Sequence, residues 1–328
     1  MKGDDIMVRK YIRFNYFTIN LTPIELPEDM MGRAINDPWN MRPLLDYVSV
    51  RGNAINTVVN VGQYLAEFER DTLIYDARNH LYSFQISKLR ETGIPSKKRL
   101  GNPREDIELD NDEYIGEFVT VVFDPRFLTV GVQSNQYSLN IPQIEFFLTE
   151  FRNYYLEIAG IDDPIPLKVQ LNPIIDPTRI TAAGNAEIYR KISISGTNVA
   201  ADALAQYGTL NEVSGLVGRA RGFKFDLTIS LGHAPKDESL DEGVIEEIIH
   251  GFNAINDNNK PKVEITMKED NEAPTEVVNL LEPRLTNRWG MEVVNRTNIG
   301  HEAIHDRFAE EYTVPRTTIA RLAVPIED

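Results

Sequence analysis

Residues 301–305 read H-E-A-I-H and match the H-E-x-x-H motif. On a helix, histidines four residues apart share a face and can bind zinc, while the glutamate activates the metal-bound water. The context differs from a zinc-protease helix, because the charged residues Asp306 and Arg307 follow the second histidine and the helix is predicted to begin at the first. A partly exposed pair of helix-start histidines is therefore the preferred interpretation. The alternative is a zinc-dependent hydrolase at His301, Glu302 and His305.

A second chemical pattern is a sharp local asymmetry of charge. Residues 78–104 contain seven basic residues and one acid, whereas residues 105–117 contain seven acids and no base. The whole chain carries −16 at pH 7, so it repels nucleic acid unless a focused patch attracts it. Charge runs usually mark a solvated loop whose charges pair loosely, and the functional interpretation is a phosphate-contacting loop with a competing acidic neighbour. The predicted phosphate contacts are Lys97, Lys98, Arg99 and Arg104.

A third group combines basic residues with an aromatic ring. Arg219, Arg221 and Lys224 surround Phe223, a composition typical of surfaces that bind nucleic acid. Phe223 also fits the apolar face of a predicted strand, so packing in the core is the preferred interpretation for the ring. Arg219 and Arg221 remain second candidates for nucleic-acid contact.

Several classes of chemistry find no support in the sequence. The chain has no cysteine, which excludes disulfides, iron–sulfur clusters and a thiolate nucleophile. It has neither a G-x-x-x-x-G-K-[ST] loop nor a G-x-S-x-G elbow, so no catalytic residue or cofactor is assigned and a non-enzymatic protein is favoured. The longest uncharged apolar run is 118–123 and the N-terminus lacks a signal-peptide pattern, which predicts a cytoplasmic protein without membrane insertion.

The strands and helices predicted around these residues indicate an α+β fold. Two domains are predicted, 1–160 and 161–328, each a mainly antiparallel sheet with packed helices. The buried face of the first strand, 10–21, changes between Tyr16 and Phe17, which implies a bulge or a strand covered on both faces. The other predicted strands or extended runs are 57–69, 72–76, 118–123, 127–132, 167–175, 187–195, 223–231, 262–268 and 276–281. The predicted helices are 80–91, 144–158, 199–217, one that a Ser239–Glu242 capping box begins, and 300–312, which ends before Pro315.

Three blocks in the first half of the chain are similar to a family of uncharacterised bacterial and prophage proteins. They read LRETGIP at 89–95, LDNDEYIGE at 109–117 and VQSNQYSL at 132–139, and further matching segments lie at 13–17, 171–176 and 278–282. This resemblance implies no established activity. In the order of its elements the chain also resembles the family of RexA, the phage-exclusion protein of lambda, and through it KwaB of the Kiwa defence system. That second resemblance implies a homodimer that binds DNA with little sequence preference and acts in phage exclusion.

The sequence therefore predicts a non-enzymatic antiphage-defence or prophage-exclusion protein that binds or senses DNA or RNA through its basic patch. The alternative is an acidic subunit that binds a partner protein in a defence complex, since acids outnumber bases by 50 to 34. The zinc hydrolase is a third possibility.

Overall fold

The computed structural model describes residues 7–25, 37–163, 165–205, 211–220, 222–255, 260–295 and 297–322. In this part of the chain, helices combine with mainly antiparallel sheets, which confirms the predicted α+β class. The chain divides into two compact units. Unit 1 is Met1–Ile174 together with Thr286–Asp328, and unit 2 is Ile175–Leu285.

The elements are numbered in chain order. The strands are β1 (Met7–Pro23), β2 (Asp37–Pro38), β3 (Val58–Val61), β4 (Tyr64–Asp76), β5 (Leu81–Arg90), β6 (Lys97–Lys98), β7 (Arg104–Glu105), β8 (Ile115–Asp124), β9 (Thr129–Gln133), β10 (Leu167–Pro173), β11 (Ile188–Thr197), β12 (Lys224–Ser230), β13 (Lys262–Lys268), β14 (Glu276–Asn279) and β15 (Thr286–Val294). The helices are α1 (Arg42–Ser49), α2 (Ile141–Ala159), α3 (Thr178–Gly184), α4 (Asn198–Ala205), α5 (Asn211–Arg219), α6 (Glu242–Ala254), α7 (His301–Glu311) and α8 (Thr313–Leu322).

Unit 1 is organised on β1, which pairs with β2, β9, β10 and β15 in one large antiparallel sheet. The order of the main path is β10-β1-β9-β8-β5-β4-β3. Because β10 and β15 both pair with β1, unit 1 includes 167–173 and the end of the chain from Thr286. Both segments were predicted to lie in the C-terminal domain.

Both faces of β1 are covered, which is one of the two arrangements that the sequence implied. On one face Phe17 and Ile19 lie in the same core as Phe147 and Phe151 of α2. On the other face Tyr16 stacks on Tyr312 at 5.9 Å between ring centroids. Burial on both faces explains why β1 reads as two overlapping apolar sets rather than one alternation.

The predicted helix over 80–91 is wrong, because this segment is the inner strand β5, paired with β4 and β8. All seven residues from Leu81 to Ser87 are buried, so the segment lacks the alternation that marks a half-exposed strand. The preceding strands also differ from the prediction, because β3 turns at Gly62 into one long β4 with a register irregularity between Glu69 and Ile74.

The predicted hairpin over 118–132 and the predicted helix over 144–158 are confirmed as β8–β9 and α2. A capping box begins α2: the Asn140 side chain accepts from the Gln143 backbone, and the Gln143 side chain accepts from the Asn140 backbone. Gly160, at φ 65°, ends the helix in the left-handed conformation that glycine adopts without strain.

The last predicted helix begins next to Gly300, as expected. Helical structure was expected to stop before Pro315, but it continues past this residue. A second helix, α8, follows α7, and Pro315 lies in its first turn. Proline is tolerated there because the first backbone N–H groups of a helix have no carbonyl partner within it. Within the described residues, no helix is long and apolar enough to span a bilayer.

Unit 2 is a four-stranded antiparallel sheet in the order β12-β11-β13-β14. Ile192 and Ile194 of β11 share its core with Ile248 and Phe252 of α6. The predicted Ser239–Glu242 capping box is wrong. The Asp241 carboxylate caps α6 by accepting from the Val244 backbone, while the Ser239 hydroxyl accepts from the Tyr189 backbone.

Candidate nucleic-acid interface

The basic segment around Lys97 folds into a short antiparallel ribbon of β6 and β7, hereafter the basic ribbon (residues 97–105). Its turn is closed by a hydrogen bond from the Asn102 N–H to the Arg99 carbonyl at 3.1 Å. Gly101 occupies the third position of this turn at φ 84°, a conformation that favours glycine. The structure thus brings all four predicted phosphate-contacting residues, Lys97, Lys98, Arg99 and Arg104, onto one hairpin.

The cations of the basic ribbon face water and lack acidic partners. Lys97, Lys98, Arg99 and Arg104 are exposed, and within the described residues none of them lies within 4.0 Å of a carboxylate. Lys98 donates a hydrogen bond to the Asn102 carbonyl. Lys98 and Arg104 are cross-strand partners on one face, and like charges directly opposite each other disfavour a strand pair. These cations therefore contribute little to the stability of the ribbon.

The acidic segment that follows (residues 105–117) does not neutralise the ribbon through ion pairs. Glu113 accepts from the Asp110 backbone, and Glu117 pairs with Arg90 of β5 at 3.7 Å. Glu105 faces Lys97 across the ribbon without forming an ion pair in the described structure. The basic segment is therefore a solvent-exposed hairpin with an excess of positive charge.

The second candidate group lies in unit 2. Arg219 is the last residue of α5, and Arg221 lies outside the described residues. The expectation that Phe223 packs in the core is wrong, because its side chain is 83% exposed. Among the described residues, Phe223 lies just before β12 at the edge of the sheet, where a residue has a strand neighbour on one side.

The H-E-x-x-H segment forms the start of α7, with Gly300 as its N-cap. The expected partial exposure holds for His301 and is wrong for His305, which is only 6% exposed. Both imidazoles point to one hydroxyl on β5: Ser83 Oγ lies 3.2 Å from His301 Nε2 and 2.8 Å from His305 Nδ1. The motif thus binds α7 to the sheet through Ser83.

A carboxylate lies on the other side of His305. His305 Nε2 is 4.0 Å from Asp76 Oδ2, at the turn between β4 and β5. The Ser83 hydroxyl carries one proton, so it donates to one imidazole and accepts from the other. Among the described residues, no group of three or more His, Asp or Glu side chains is arranged to hold a metal ion.

The electrostatics of these groups follow from burial and neighbours. Burial, with a smaller contribution from the nearby His305, lowers the pKa of His301 to about 4, so His301 is neutral at pH 7. Burial raises the pKa of Asp76, but hydrogen bonds from Asn79 and Arg78 together with the nearby His305 outweigh this effect and lower the pKa overall. Asp76 is thus a charged turn former.

A cavity of about 960 Å³ opens between the β4–β5 turn and α7. Its ionisable lining residues are Asp76, Arg78, Glu302, His305, Asp306 and Glu310. Ser83 has the order hydroxyl–imidazole–carboxylate of a hydrolase triad, but its side chain is fully buried in the sheet and does not line the cavity. A substrate in the cavity therefore cannot reach this hydroxyl.

Ser83 and Asp76 are the polar partners that sequence reasoning missed. Ser83 lies more than 200 residues before the histidines and falls in the segment predicted as a helix. No local pattern signals such a contact. It becomes visible only when the sheet places β5 beneath α7.

Comparison with known proteins places the chain in a family. No curated protein matches the sequence. Residues 7–318, which include the basic ribbon, unit 2 and the α7 histidines, match DUF6731, a family of unknown function. This match is consistent with the uncharacterised family expected from the sequence, and the chain belongs to the DUF6731 family.

Proposed function

We propose that this protein is a non-enzymatic nucleic-acid-binding protein whose basic ribbon contacts phosphate groups. The observation that supports the proposal is the placement of four exposed cations on one hairpin, without a carboxylate partner in the part of the chain that the structure describes. Cations that the fold does not neutralise are available to replace the counterions of a phosphate backbone.

The ribbon is suited to backbone contact rather than to base reading. Each of its strands is two residues long, about 7 Å, which is too short to follow a groove across several base pairs. Lys and Arg contacts to phosphate fix position and supply affinity without carrying sequence information. We therefore expect little sequence preference.

The cellular role is a further part of the proposal. The resemblance to the RexA and KwaB families favours phage exclusion or antiphage defence, carried out by a homodimer. Light scattering on the purified protein tests the homodimer, and a monomeric mass would contradict it.

Fluorescence polarisation with a labelled 20-base-pair duplex at low salt tests the ribbon directly. The triple variant K97A/K98A/R99A is expected to bind at least about tenfold more weakly than wild type, because three phosphate contacts are lost. The matched control K168A/K191A/K236A removes the same charge from exposed positions elsewhere and is expected to keep wild-type affinity within about threefold.

Two results would contradict the proposal. Equal losses in both triple variants would mean that only net charge matters. No wild-type binding at low salt would exclude nucleic acid as a direct ligand, and a nuclease-resistant pulldown that depends on residues 105–117 would then favour the acidic interaction subunit.

A further inference from the structure

The second basic group displays an aromatic ring on a fixed backbone. Phe223 is 83% exposed, the largest exposed fraction of any aromatic side chain described. Its carbonyl nevertheless accepts from the Asn198 N–H at 3.2 Å, and the Gly222 N–H donates to the Val217 carbonyl at 3.0 Å. Since Lys224 then pairs with Thr197 of β11, ordered backbone surrounds the exposed ring on both sides.

Basic residues flank Phe223 along the chain. Arg219 ends α5 four residues before Phe223, and Lys224 follows it directly. Within the described residues, neither cation has a carboxylate partner. Lys224 also lines a cavity of about 620 Å³ with Ser195 and Thr197. Asp226 and Lys262 line it too, and Lys262 is paired with Glu264 at 2.8 Å.

We propose that Phe223 is a stacking platform for an unpaired base of single-stranded nucleic acid, with Arg219 and Lys224 contacting the flanking phosphates. A ring that stacks on bases needs an open face and a fixed backbone, and cations beside it hold the sugar–phosphate chain. Bases in a duplex are already stacked on each other, so their faces are not available to the ring. The proposal rests on the proposed function and adds the class of ligand, using residues of the other unit.

The charge around Phe223 argues against a second copy of this chain as the occupant. In a two-fold contact the same patch is used by both copies, so Arg219 and Lys224 of each copy would lie in one interface. Like charges in contact oppose such an association, whereas a polyanion that carries π-systems is attracted to both the ring and the cations.

The test uses fluorescence polarisation with the full chain and two probes, a labelled 15-nucleotide oligo(dT) and a labelled 15-base-pair duplex. Phe223→Ala is expected to bind oligo(dT) about 5- to 100-fold more weakly and the duplex within twofold of wild type. Phe223→Tyr keeps an aromatic ring and is expected to bind oligo(dT) as wild type does. Phe223→Leu keeps an apolar side chain without the ring and is expected to resemble Phe223→Ala.

The variants separate the two proposals. If K97A/K98A/R99A weakens both probes while Phe223→Ala matches wild type on oligo(dT), the stacking platform is wrong and the ribbon stands. If only Phe223→Ala weakens binding to oligo(dT), the result contradicts phosphate contact by the ribbon and supports base stacking on Phe223. If wild type binds neither probe, both are wrong. If Phe223→Ala halves the mass in light scattering without changing oligo(dT) binding, the patch joins two copies and the inference is overturned.

Discussion

The basic ribbon and the histidine pair of α7 are both polar segments with residues capable of chemistry, but they differ in burial and in the contacts they make within the fold. The ribbon has four exposed cations that pair with no acidic residue among those described. In contrast, His305 is buried, and both His301 and His305 contact Ser83. Polar groups engaged in the core stabilise the fold, whereas charges that the fold leaves unpaired are available to a ligand. The comparison teaches that contacts made within the fold, rather than motif strength, separate the two roles.

The largest predicted effect is the loss of stability when His305, the buried histidine of α7, is replaced. His305→Ala is expected to lower the free energy of unfolding by about 2–4 kcal/mol, because it leaves a cavity and removes a hydrogen bond from buried Ser83. Urea denaturation followed by tryptophan fluorescence measures it, since both tryptophans, Trp39 and Trp289, are buried in unit 1.

The control for His305→Ala is K97A/K98A/R99A, which is expected to change the same free energy by no more than about 0.5 kcal/mol. Two results would contradict the structural role of His305 and the ligand-binding role of the ribbon. One is a loss of unfolding free energy below about 1 kcal/mol in His305→Ala, and the other is a larger loss in the ribbon variant than in His305→Ala.

The free energy of unfolding measured as a function of pH tests the lowered pKa of His301. Its pKa is about 4 in the folded chain against 6.5 for the ordinary side chain, so the unfolded chain binds a proton in this window and the folded chain does not. The free energy of unfolding is therefore expected to fall as pH decreases from 6.5 to 4, by about 1–2 kcal/mol once partial exposure of the ring is taken into account.

Urea denaturation of wild type and His301→Gln at pH 7, 5.5 and 4.5 measures this contribution. His301→Gln keeps a hydrogen-bonding side chain without the titration and is expected to show a shallower decrease. Parallel curves for the two proteins would show that His301 does not contribute to the pH dependence.

The smallest predicted effect is on affinity at the ribbon. Glu105 lies opposite Lys97 and reduces the positive potential that a phosphate experiences. Glu105→Gln is expected to tighten binding to duplex DNA by about twofold, because an exposed charge contributes only a few tenths of a kcal/mol. Glu238→Gln, an exposed change in unit 2, is expected to leave affinity unchanged, and equal tightening by both would point to net charge alone.

Much of the fold was predictable where local signals in the sequence mark an element. The hairpin β8–β9 follows from two apolar runs around the turn residues Asp124, Pro125 and Arg126, although both strands are largely buried, and α2, β13 and β14 follow from apolar periodicity and capping residues. The strand β5 was not, because it lies between two strands and is buried on both faces, which removes the alternation from its sequence.

The candidate site was predictable in composition but not in geometry. The count of basic residues identified Lys97, Lys98, Arg99 and Arg104, yet the ribbon that unites them depends on the turn at Gly101. The exposure of Phe223 and the contact between Ser83 and the histidines depend on edge position and on long-range packing. Neither leaves a local signature in the sequence.

The most direct test of the central claim is the salt dependence of binding to duplex DNA by wild type and K97A/K98A/R99A. Each phosphate contact contributes about −0.9 to the slope of log K against log salt, so the variant is expected to have a slope shallower by about 2.7. Its urea unfolding curve is expected to superimpose on that of wild type. Equal slopes in the two proteins would contradict the account, because the ribbon cations would then not contact phosphate.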